Sequence, residues 1–381
     1  MTEPIRVLEL RCADGPGGGP EKTILHGAAR SDPSRFAITV CYLRHQQDAD
    51  QSIRGRAEEL CLDYCEIRQR GPLDVRAFKE LQDLVRARQI DIVHVHDYKT
   101  DFLGLWLARS SQVILVATAH GWTGHSRRER CFYYPLDLLL LTRYPIAIAV
   151  SGQIRDILIK HGTAPDRIRT IVNGIDHQIY RQDPTRIEAV RSGYGLKSDE
   201  VVIGAVGRLE PQKRFDLLLQ AFALLRPVRP GLRLLIAGEG SCRSELESQA
   251  DSLGLNGSCR LLGHCANVIE FFQAINVCVQ SSDYEGTSNV VLEAMAMEVP
   301  VVATAVGGTA EIVEDGVHGI ILPPRDPVAM ADAIAKVLDE PEATEARVRA
   351  ARSRVETELS FQKRQQRLEA VYEELVESHN R

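Results

Sequence analysis

The 381-residue sequence predicts an α/β protein with two doubly wound domains, each built on a parallel β-sheet. The chain exceeds the size at which a single hydrophobic core keeps growing, so two domains are expected. Short β-branched runs alternate with amphipathic stretches almost from end to end. The alternation lapses once, at residues 170–184, where Asn173-Gly174 signals a turn. We therefore predict a first domain over 1–172, a linker over 173–195 and a second domain over 196–360.

The predicted strands are the apolar, β-branched runs of each domain. In the first domain they cover 5–10, 36–43, 91–96, 113–119 and 147–151. In the second domain they cover 201–209, 232–240, 258–264, 276–282, 300–306 and 319–324. Amphipathic stretches predict helices over 21–30, 75–88 and 102–109. Ser151 is expected to cap a helix that starts near Gln153, and the charged tail from Glu342 predicts a long helix interrupted near residues 359–361.

The composition is that of an ordinary globular protein, with 44% apolar and 26% charged residues. The net charge is −6, although residues 1–172 hold 24 Lys and Arg against 21 Asp and Glu. No basic tract or RNA-binding signature is present, so nucleic acid is not an expected partner. Nine cysteines are scattered without CxxC pairs, which indicates free thiols in a reducing cytosol. The apolar segment 133–150 is interrupted by Asp137 and Arg143, so we do not expect it to span a bilayer.

A glycine-rich loop, ADGPGGGPEKT (13–23), follows the first predicted strand. It fails the dinucleotide fingerprint because proline replaces the last glycine, and it fails the P-loop pattern because glutamate precedes Lys22-Thr23. Residues 17–19, all glycine, still allow the backbone to pass close to a ligand, and Pro20 suits the first position of a helix. The amides of such a helix start can bind an anion. A plain flexible turn is the alternative.

Two cations follow the first predicted strand of the second domain, in GAVGRLEPQKRFDLLLQA (204–221). Arg208 ends the strand and Lys213 lies in the next loop, which is where open α/β sheets bind ligands. An arginine fork and a lysine point charge suit a diphosphate. Solvated loop charges are the alternative.

Two glutamates stand eight positions apart in SSDYEGTSNVVLEAMAME (281–298). A helix is predicted from Asn289 to Met297, with Ser288 as its N-cap. Glu285 lies before the start of this helix, and Glu293 lies within it among apolar residues. Eight residues of helix rise by roughly 12 Å, about the reach from a hexose across a diphosphate to a ribose. Because a buried glutamate needs a partner, we predict that Glu293 binds a ligand diol. A salt bridge from Glu293 to a neighbouring arginine is the alternative.

The segment 285–324 resembles the C-terminal signature of the GT-B retaining glycosyltransferases of family 4, in which two glutamates are separated by seven residues. The resemblance covers nearly the whole chain, with matching segments in the same order. They are GGGPEKT, DIVHVHDYKT, TAHGW, VNGID and VGRLEPQKRFDLLLQAFALL. It implies two Rossmann-like domains that face each other across a cleft. The first would be the acceptor side, with a terminal helix at about 361–381 packing back on it, and the second would bind the nucleotide sugar.

The resemblance also implies roles for individual residues. Arg208 and Lys213 would neutralise the leaving diphosphate. Glu285 would hold the transferred sugar, Glu293 the ribose, and His120 would approach the donor sugar and the reacting centre. The remaining donor-side residues would be Gly18, Gly19, Gly238, Gly286, Thr287, Ser288, Asn289 and Val290. His96 and Lys22 would lie on the acceptor side, with packing or helix solvation as their alternative roles.

The predicted reaction is retaining transfer of a hexose from a nucleoside-diphosphate sugar, most readily a UDP-sugar, to an acceptor hydroxyl. No DxD motif is evident, so neither a metal nor another cofactor is expected. His94 and His96 alternate along one predicted strand, and we interpret them as facing opposite sides of the sheet. We therefore do not expect either histidine to be a metal ligand. A nucleotide-sugar epimerase, a phosphorylase and a non-catalytic nucleotide-sugar-binding protein remain alternatives.

Similarity to bacterial enzymes of cell-surface polysaccharide and glycoconjugate synthesis implies a glycan, lipid-linked or small-molecule acceptor. It also implies a cytoplasmic enzyme that visits the inner membrane face. The segment 127–143 mixes RRER with a leucine run and could touch a membrane surface. Packing of its leucines into the core is the favoured interpretation.

Overall fold

The computed structural model describes residues 3–71, 74–122, 129–265 and 267–379. The chain divides into two compact units, of which the first comprises Met1–Asn173 with Gln362–Arg381 and the second Gly174–Phe361. The segment 173–195, which the sequence suggests is a linker, belongs to the second unit from Gly174 onward.

The first unit contains a seven-stranded sheet in the order β3-β2-β1-β4-β5-β6-β7, and all its neighbouring strands are parallel. Its strands are β1 (Ile5–Cys12), β2 (Phe36–His45), β3 (Asp63–Gln69), β4 (Ile92–Val95), β5 (Ile114–Ala119), β6 (Ile146–Ala149) and β7 (Ile168–Thr170). Its first helices are α1 (Gly19–Arg30), α2 (Ser52–Glu59), α3 (Val75–Ala87), α4 (Tyr98–Ser110), α5 (Tyr134–Leu141) and α6 (Gly152–Lys160). The strand order reverses direction between β1 and β4, which creates a switch point at the carboxyl ends of these strands.

The second unit contains a six-stranded parallel sheet in the order β10-β9-β8-β11-β12-β13. Its strands are β8 (Val201–Val206), β9 (Leu232–Ala237), β10 (Cys259–Gly263), β11 (Val277–Gln280), β12 (Val301–Thr304) and β13 (Ile320–Leu322). Its helices are α7 (Ile187–Gly193), α8 (Phe215–Leu225), α9 (Arg243–Ser252), α10 (Val268–Ala274), α11 (Asn289–Ala296), α12 (Thr309–Ile312), α13 (Pro327–Asp339) and α14 (Pro341–Thr357). The switch point of this sheet lies between β8 and β11.

The last helix of the chain, α15 (Phe361–His379), packs its apolar stripe on one face of the first sheet. Leu368, Val371, Tyr372 and Leu375 follow the helical spacing and are buried in the same cluster as residues of β1, β4, β5 and β6. The first unit is therefore built from the two ends of the chain, and its C-terminal helix covers part of the sheet.

The predicted fold class is confirmed, and all eleven predicted strands are present, with ends that differ from the predicted ones by at most three residues. Two of the strands described were not predicted from the sequence. Strand β3 carries charged residues along its length because it forms the edge of its sheet, where one side meets solvent. Strand β7 has only three residues, too few for a periodic pattern.

Among the helices described, none is long and apolar enough to cross a membrane. In the segment 127–143, Arg127 and Arg128 lie outside the described residues. Some leucines of α5 lie in the core and others are exposed. Leu138 and Leu141 are buried, whereas Leu136 and Leu139 are 44% and 56% exposed. The favoured core-packing interpretation is therefore right for only part of this run.

Candidate functional site

Three loops of the second unit leave adjacent strands at the same edge of its sheet. Arg208 follows β8, Gly238 follows β9, and Glu285 follows β11, with β8 paired to both neighbours. Because carboxyl ends of parallel strands share one edge, these loops lie side by side at the switch point. The side chain of Arg208 is exposed there. The sheet topology thus gathers residues that are far apart in sequence.

Lys213 and Glu285 form a largely buried ion pair in these loops. The Nζ of Lys213 lies 2.6 Å from Oε1 of Glu285, and their side chains are 15% and 9% exposed. Ser282 donates its hydroxyl to the same carboxylate oxygen at 2.6 Å. Burial alone would raise the pKa of Glu285, but Lys213 and the hydrogen bonds outweigh it and lower the pKa below its usual value. Glu285 is therefore an ionised acceptor of hydrogen bonds.

The loop of Lys213 is joined to the loop of Glu285 by further hydrogen bonds. Ser281 donates its hydroxyl to the carbonyl of Lys213 at 2.6 Å. Gln212 accepts from the amide of Asp283 at 2.8 Å and donates its side-chain amide to the carbonyl of Tyr284 at 2.7 Å. These bonds fix the two loops against each other, so the ion pair lies on a rigid frame.

Asp283, which sequence analysis missed, ties a third loop to this frame. Arg325 grips its carboxylate with two hydrogen bonds of 3.0 Å, and Arg214 approaches it at 3.3 Å. Both arginines have left-handed backbone conformations, with φ of 51° at Arg214 and 67° at Arg325. Such strain persists when surrounding contacts hold the residue in place. The shared carboxylate is one such contact.

Gly238 and Gly307 are two positions of this edge at which a side chain would collide with backbone. A Cβ on Gly238, which has φ of +148°, would lie 1.8 Å from the carbonyl oxygen of Gly207. A Cβ on Gly307, with φ of +54°, would lie 1.8 Å from the carbonyl oxygen of Glu285. Next to it, the amide of Gly308 donates to the carbonyl of Gly286 at 2.7 Å. The backbone carrying Glu285 is thus packed directly on the loop after β12.

Helix α11 begins at Asn289, with Ser288 at its N-cap, as the sequence predicts. The hydroxyl of Ser288 makes no capping hydrogen bond, so the position is right and the capping bond is absent. Thr287 is buried beside it, while Asn289 and Val290 are half-buried. The residues of the predicted donor-side turn are therefore contiguous with Glu285 at the start of this helix.

Glu293 lies one turn into α11 and is only 3% exposed. The hydroxyl of Tyr180 donates to its Oε1 at 3.4 Å, and burial together with Glu293 raises the pKa of Tyr180. Tyr180 was not predicted, because nothing in its local sequence marks it as a partner of a residue 113 positions away.

In the first unit, the glycine loop forms the start of α1, with Gly18 at the N-cap and Gly19 as the first helical residue. The amide of Gly18 donates to Oε2 of Glu21 at 2.6 Å. Glu21 is buried and pairs with Arg11 at 2.6 Å. The amide predicted to face a diphosphate is therefore occupied by a side chain of the same helix. Lys22, in the first turn, is half-buried.

His94 and His96 do not face opposite sides of the sheet, so that interpretation is wrong. Residues two apart on a strand share a face, and the two rings lie 4.3 Å apart. Nδ1 of His94 and Nε2 of His96 lie 3.3 and 2.5 Å from Oε2 of Glu9. Ligand atoms of these three residues all lie within 4.8 Å of one another. They form one buried cluster.

His120 joins this cluster at the end of β5. Its Nε2 lies 3.1 Å from Nδ1 of His96, and the rings are stacked at 5.4 Å. Burial, with further contributions from neighbouring groups, lowers the pKa of His96 to about 4 and that of His120 well below its usual value. Both imidazoles are therefore neutral near pH 7.

The two-residue spacings within this cluster are visible in the sequence, but the register between its strands comes from the structure alone. Glu9 is in register with His94, and His94 is in register with Val116, so these three side chains lie on one face of the sheet. Residues two positions further along each strand lie on the same face. Thr118 and His120 continue that series on β5. Tyr372 could not be found this way, because it reaches the cluster from the other end of the chain.

Two family models match the chain. Residues 17–179 match Glycosyltransferase Family 4, and residues 186–354 match Glycosyl transferases group 1. The putative glycosyltransferase EpsD of Bacillus subtilis is 30% identical over 281 residues, which is 71% of this chain and 73% of EpsD. The D-inositol 3-phosphate glycosyltransferase of Saccharomonospora viridis is 30% identical over 327 residues, or 80% of this chain and 74% of the relative.

The fold is also that of a solved structure, Anabaena Alr3699/HepE in complex with UDP-glucose. The TM-score is 0.87 at 21% identity, over 97% of this chain and 100% of that one. Since both units match family models and the curated relatives align over most of their length, the chain belongs to the family 4 (group 1) glycosyltransferases, with the GT-B fold, and is a glycosyltransferase.

Proposed function

We propose that the protein is a retaining hexosyltransferase that moves a hexose from a UDP-sugar to an acceptor hydroxyl. The observation that carries this proposal is the buried pair of Lys213 and Glu285 beside Arg208 at the switch point of the second sheet. A related fold that binds UDP-glucose supports the choice of donor.

The pair supplies two different functions in this mechanism. Negative charge develops on the diphosphate as the glycosidic bond breaks, and Lys213 and Arg208 stabilise it electrostatically. Glu285, ionised and fixed by Ser282, accepts hydrogen bonds from hydroxyls of the transferred sugar. The backbone amides at the start of α11, in residues 287–289, add donors beside it.

Retention follows if the acceptor attacks from the face that the leaving group departs from, with the leaving phosphate assisting as base. We therefore assign no carboxylate nucleophile, in contrast to the paired acids of a retaining glycosidase. No divalent cation is needed, because Lys213 and Arg208 carry the charge stabilisation that a metal would supply.

The roles proposed for residues of the first unit rest on the resemblance of their motifs to those of the family. His120 is proposed as a catalytic residue, Gly19 as a donor-side residue and Lys22 as an acceptor-side residue. The amide of Gly18 and both ring nitrogens of His96 already form hydrogen bonds within the unit, so these two residues are assigned no direct contact with a substrate. His120 is neutral near pH 7, so it would act as a hydrogen-bonding group and not as a cation.

The proposed acceptor is a glycan, a lipid-linked sugar or a small molecule of cell-surface polysaccharide or glycoconjugate synthesis. We place the enzyme in the cytoplasm with peripheral contact to the inner membrane face. The exposed Leu136 and Leu139 on α5 suit such contact.

The test of this function is a donor screen followed by product analysis. Thermal unfolding with UDP, GDP, ADP and their hexoses is expected to show the largest stabilisation with UDP ligands, since a ligand selective for the folded state raises stability. The matching UDP-hexose should then be consumed only with an acceptor, with retained anomeric configuration by NMR and unchanged rates in EDTA. Epimerised donor without acceptor, or activity restored by manganese after EDTA, would contradict the proposal.

A second prediction concerns Glu293, the proposed ribose ligand. Glu293→Ala is expected to raise the donor Kd and KM by about 10- to 100-fold, because hydrogen bonds to a charged group contribute about 1.5–3 kcal/mol. Turnover at saturating donor should stay within about threefold, since the ribose is remote from the bond being broken. Titration calorimetry with UDP and steady-state rates measure both quantities. The exposed Glu298→Gln is the control, and an unchanged Kd in Glu293→Ala would refute the assignment.

A further inference from the structure

A closed set of hydrogen bonds lies within the first unit and ends on the ring of His120. Its members come from β1, β4, β5 and α15. Glu9, His94, His96 and Tyr372 are each at most 7% exposed, so water takes little part in satisfying them. Buried polar groups must then satisfy one another, which makes the direction of each bond deducible.

Glu9 is the acceptor on which the set converges. Tyr372 donates its hydroxyl to Oε1 at 2.8 Å, and Nε2 of His96 lies 2.5 Å from Oε2. Burial alone would raise the pKa of Glu9, but the neighbouring imidazoles of His94 and His96 lower it well below its usual value. An ionised carboxylate accepts only. The hydrogen between Glu9 and His96 therefore belongs to Nε2 of His96.

His94 completes the set without changing that direction. The hydroxyl of Tyr372 is committed to Glu9, so its oxygen accepts from Nδ1 of His94 at 2.6 Å. In the neutral form of His94, Nε2 then accepts from the hydroxyl of Thr118, also at 2.6 Å. Every polar atom in this part of the set is paired with the correct polarity.

The tautomer of His96 determines the tautomer of His120. With a hydrogen on Nε2 and a pKa of about 4, neutral His96 has a bare Nδ1. A bare nitrogen accepts, so Nε2 of His120, 3.1 Å away, must carry the hydrogen between them. His120 is neutral as well, because burial, His96, Arg11 and Arg364 lower its pKa. Its Nδ1 is consequently bare.

We propose that Glu9 is a positioning residue that, through His96, holds His120 as the Nε2–H tautomer with Nδ1 as an acceptor. His120 then accepts a hydrogen bond from a substrate hydroxyl and cannot donate one from Nδ1 to a phosphate. Only this consequence for the substrate rests on the proposed function of His120. Tyr372 contributes from α15 by holding the other oxygen of Glu9.

The direct test is 15N NMR of the imidazoles in wild-type protein labelled at histidine, with signals assigned by His96→Asn and His120→Asn. We expect a protonated Nε2 and a bare Nδ1 for both His96 and His120. A protonated Nδ1 on His120, or imidazolium at pH 7, would overturn the proposal. So would a stoichiometric metal in the purified protein, since a metal on Glu9, His94 and His96 would displace the hydrogens.

Glu9→Gln is the matched variant, because its side-chain amide has nearly the shape of the carboxylate but can also donate. We expect the His120 nitrogen signals to shift toward the other tautomer, and kcat to fall by about 10- to 100-fold with donor KM within about twofold. Tyr372→Phe keeps the bond between Glu9 and His96 and should change kcat less. Unchanged nitrogen signals in Glu9→Gln would refute the role of Glu9. If the spectra agree but His120→Ala retains full turnover, the tautomer assignment stands and the proposed catalytic role of His120 fails.

Discussion

Lys213→Ala is expected to lower turnover by about 100- to 1,000-fold, the usual effect of removing one group that stabilises transition-state charge. Lys213 is the buried cation of the proposed diphosphate site, and its ammonium lies 2.6 Å from Glu285. Steady-state kcat with UDP-hexose and acceptor measures the effect. A Lys213→Ala enzyme with a near-normal rate would show that the diphosphate assignment is wrong.

The same change also leaves Glu285 as a buried charge without its cation. Breaking a buried pair costs about 3–5 kcal/mol, and the hydroxyl of Ser282 remains to keep the loss near the lower value. Urea unfolding should therefore show a lower free energy of unfolding for Lys213→Ala. The double variant Lys213→Ala with Glu285→Gln removes the orphaned charge, so we expect it to regain stability but not turnover. Recovery of turnover in the double variant would mean that Lys213 acts only through the fold.

Gly307→Ala is expected to lower the free energy of unfolding by about 4 kcal/mol or more. A loss of this size is exceptional for a single substitution and indicates a severe conflict, here with the backbone. The new Cβ would lie 1.8 Å from the carbonyl oxygen of Glu285, and backbone on either side must move to admit it. The free energy of unfolding in urea measures the loss, and donor binding at 25 °C should weaken in parallel because the backbone of Glu285 shifts.

Gly316→Ala is the matched control for this prediction. Gly316 also has a left-handed backbone, with φ of +74°, but a Cβ there would meet nothing within 4 Å. It therefore carries only the cost of an alanine in that conformation, about 1–2 kcal/mol. Equal losses at Gly307 and Gly316 would show that the contact with Glu285 has no energetic consequence.

Local patterns in the sequence were sufficient for most of the fold. Parallel strands buried on both faces are continuous β-branched runs, so all six strands of the second unit were predicted. The start of α11 at Asn289 and the cap at Ser151 were predicted because helix starts depend on a few adjacent residues. Strand β3 was missed because an edge strand lacks that apolar signature.

The faces of His94 and His96 show a different source of error. The sequence contains the spacing that puts both on one face, and the opposite interpretation ignored the two-residue period of a strand. The spacing could not show which residues contact the two histidines. Glu9 lies in register with His94, and Tyr372 reaches the same cluster across 363 positions of sequence from Glu9.

By itself, the sequence determined the two α/β units, the strand-end positions of Arg208, Lys213 and Glu285, and the family of the enzyme, because these depend on local periodicity and contiguous motifs. Tertiary structure decided which charges are neutralised and which polar groups lie within hydrogen-bonding distance of one another. The pairing of Lys213 with Glu285 and the convergence of three side chains on Glu9 depend on distances between residues far apart in the chain. Hydrogen bonds and ion pairs are effective only over a few ångströms, and the order of strands in a sheet sets those distances.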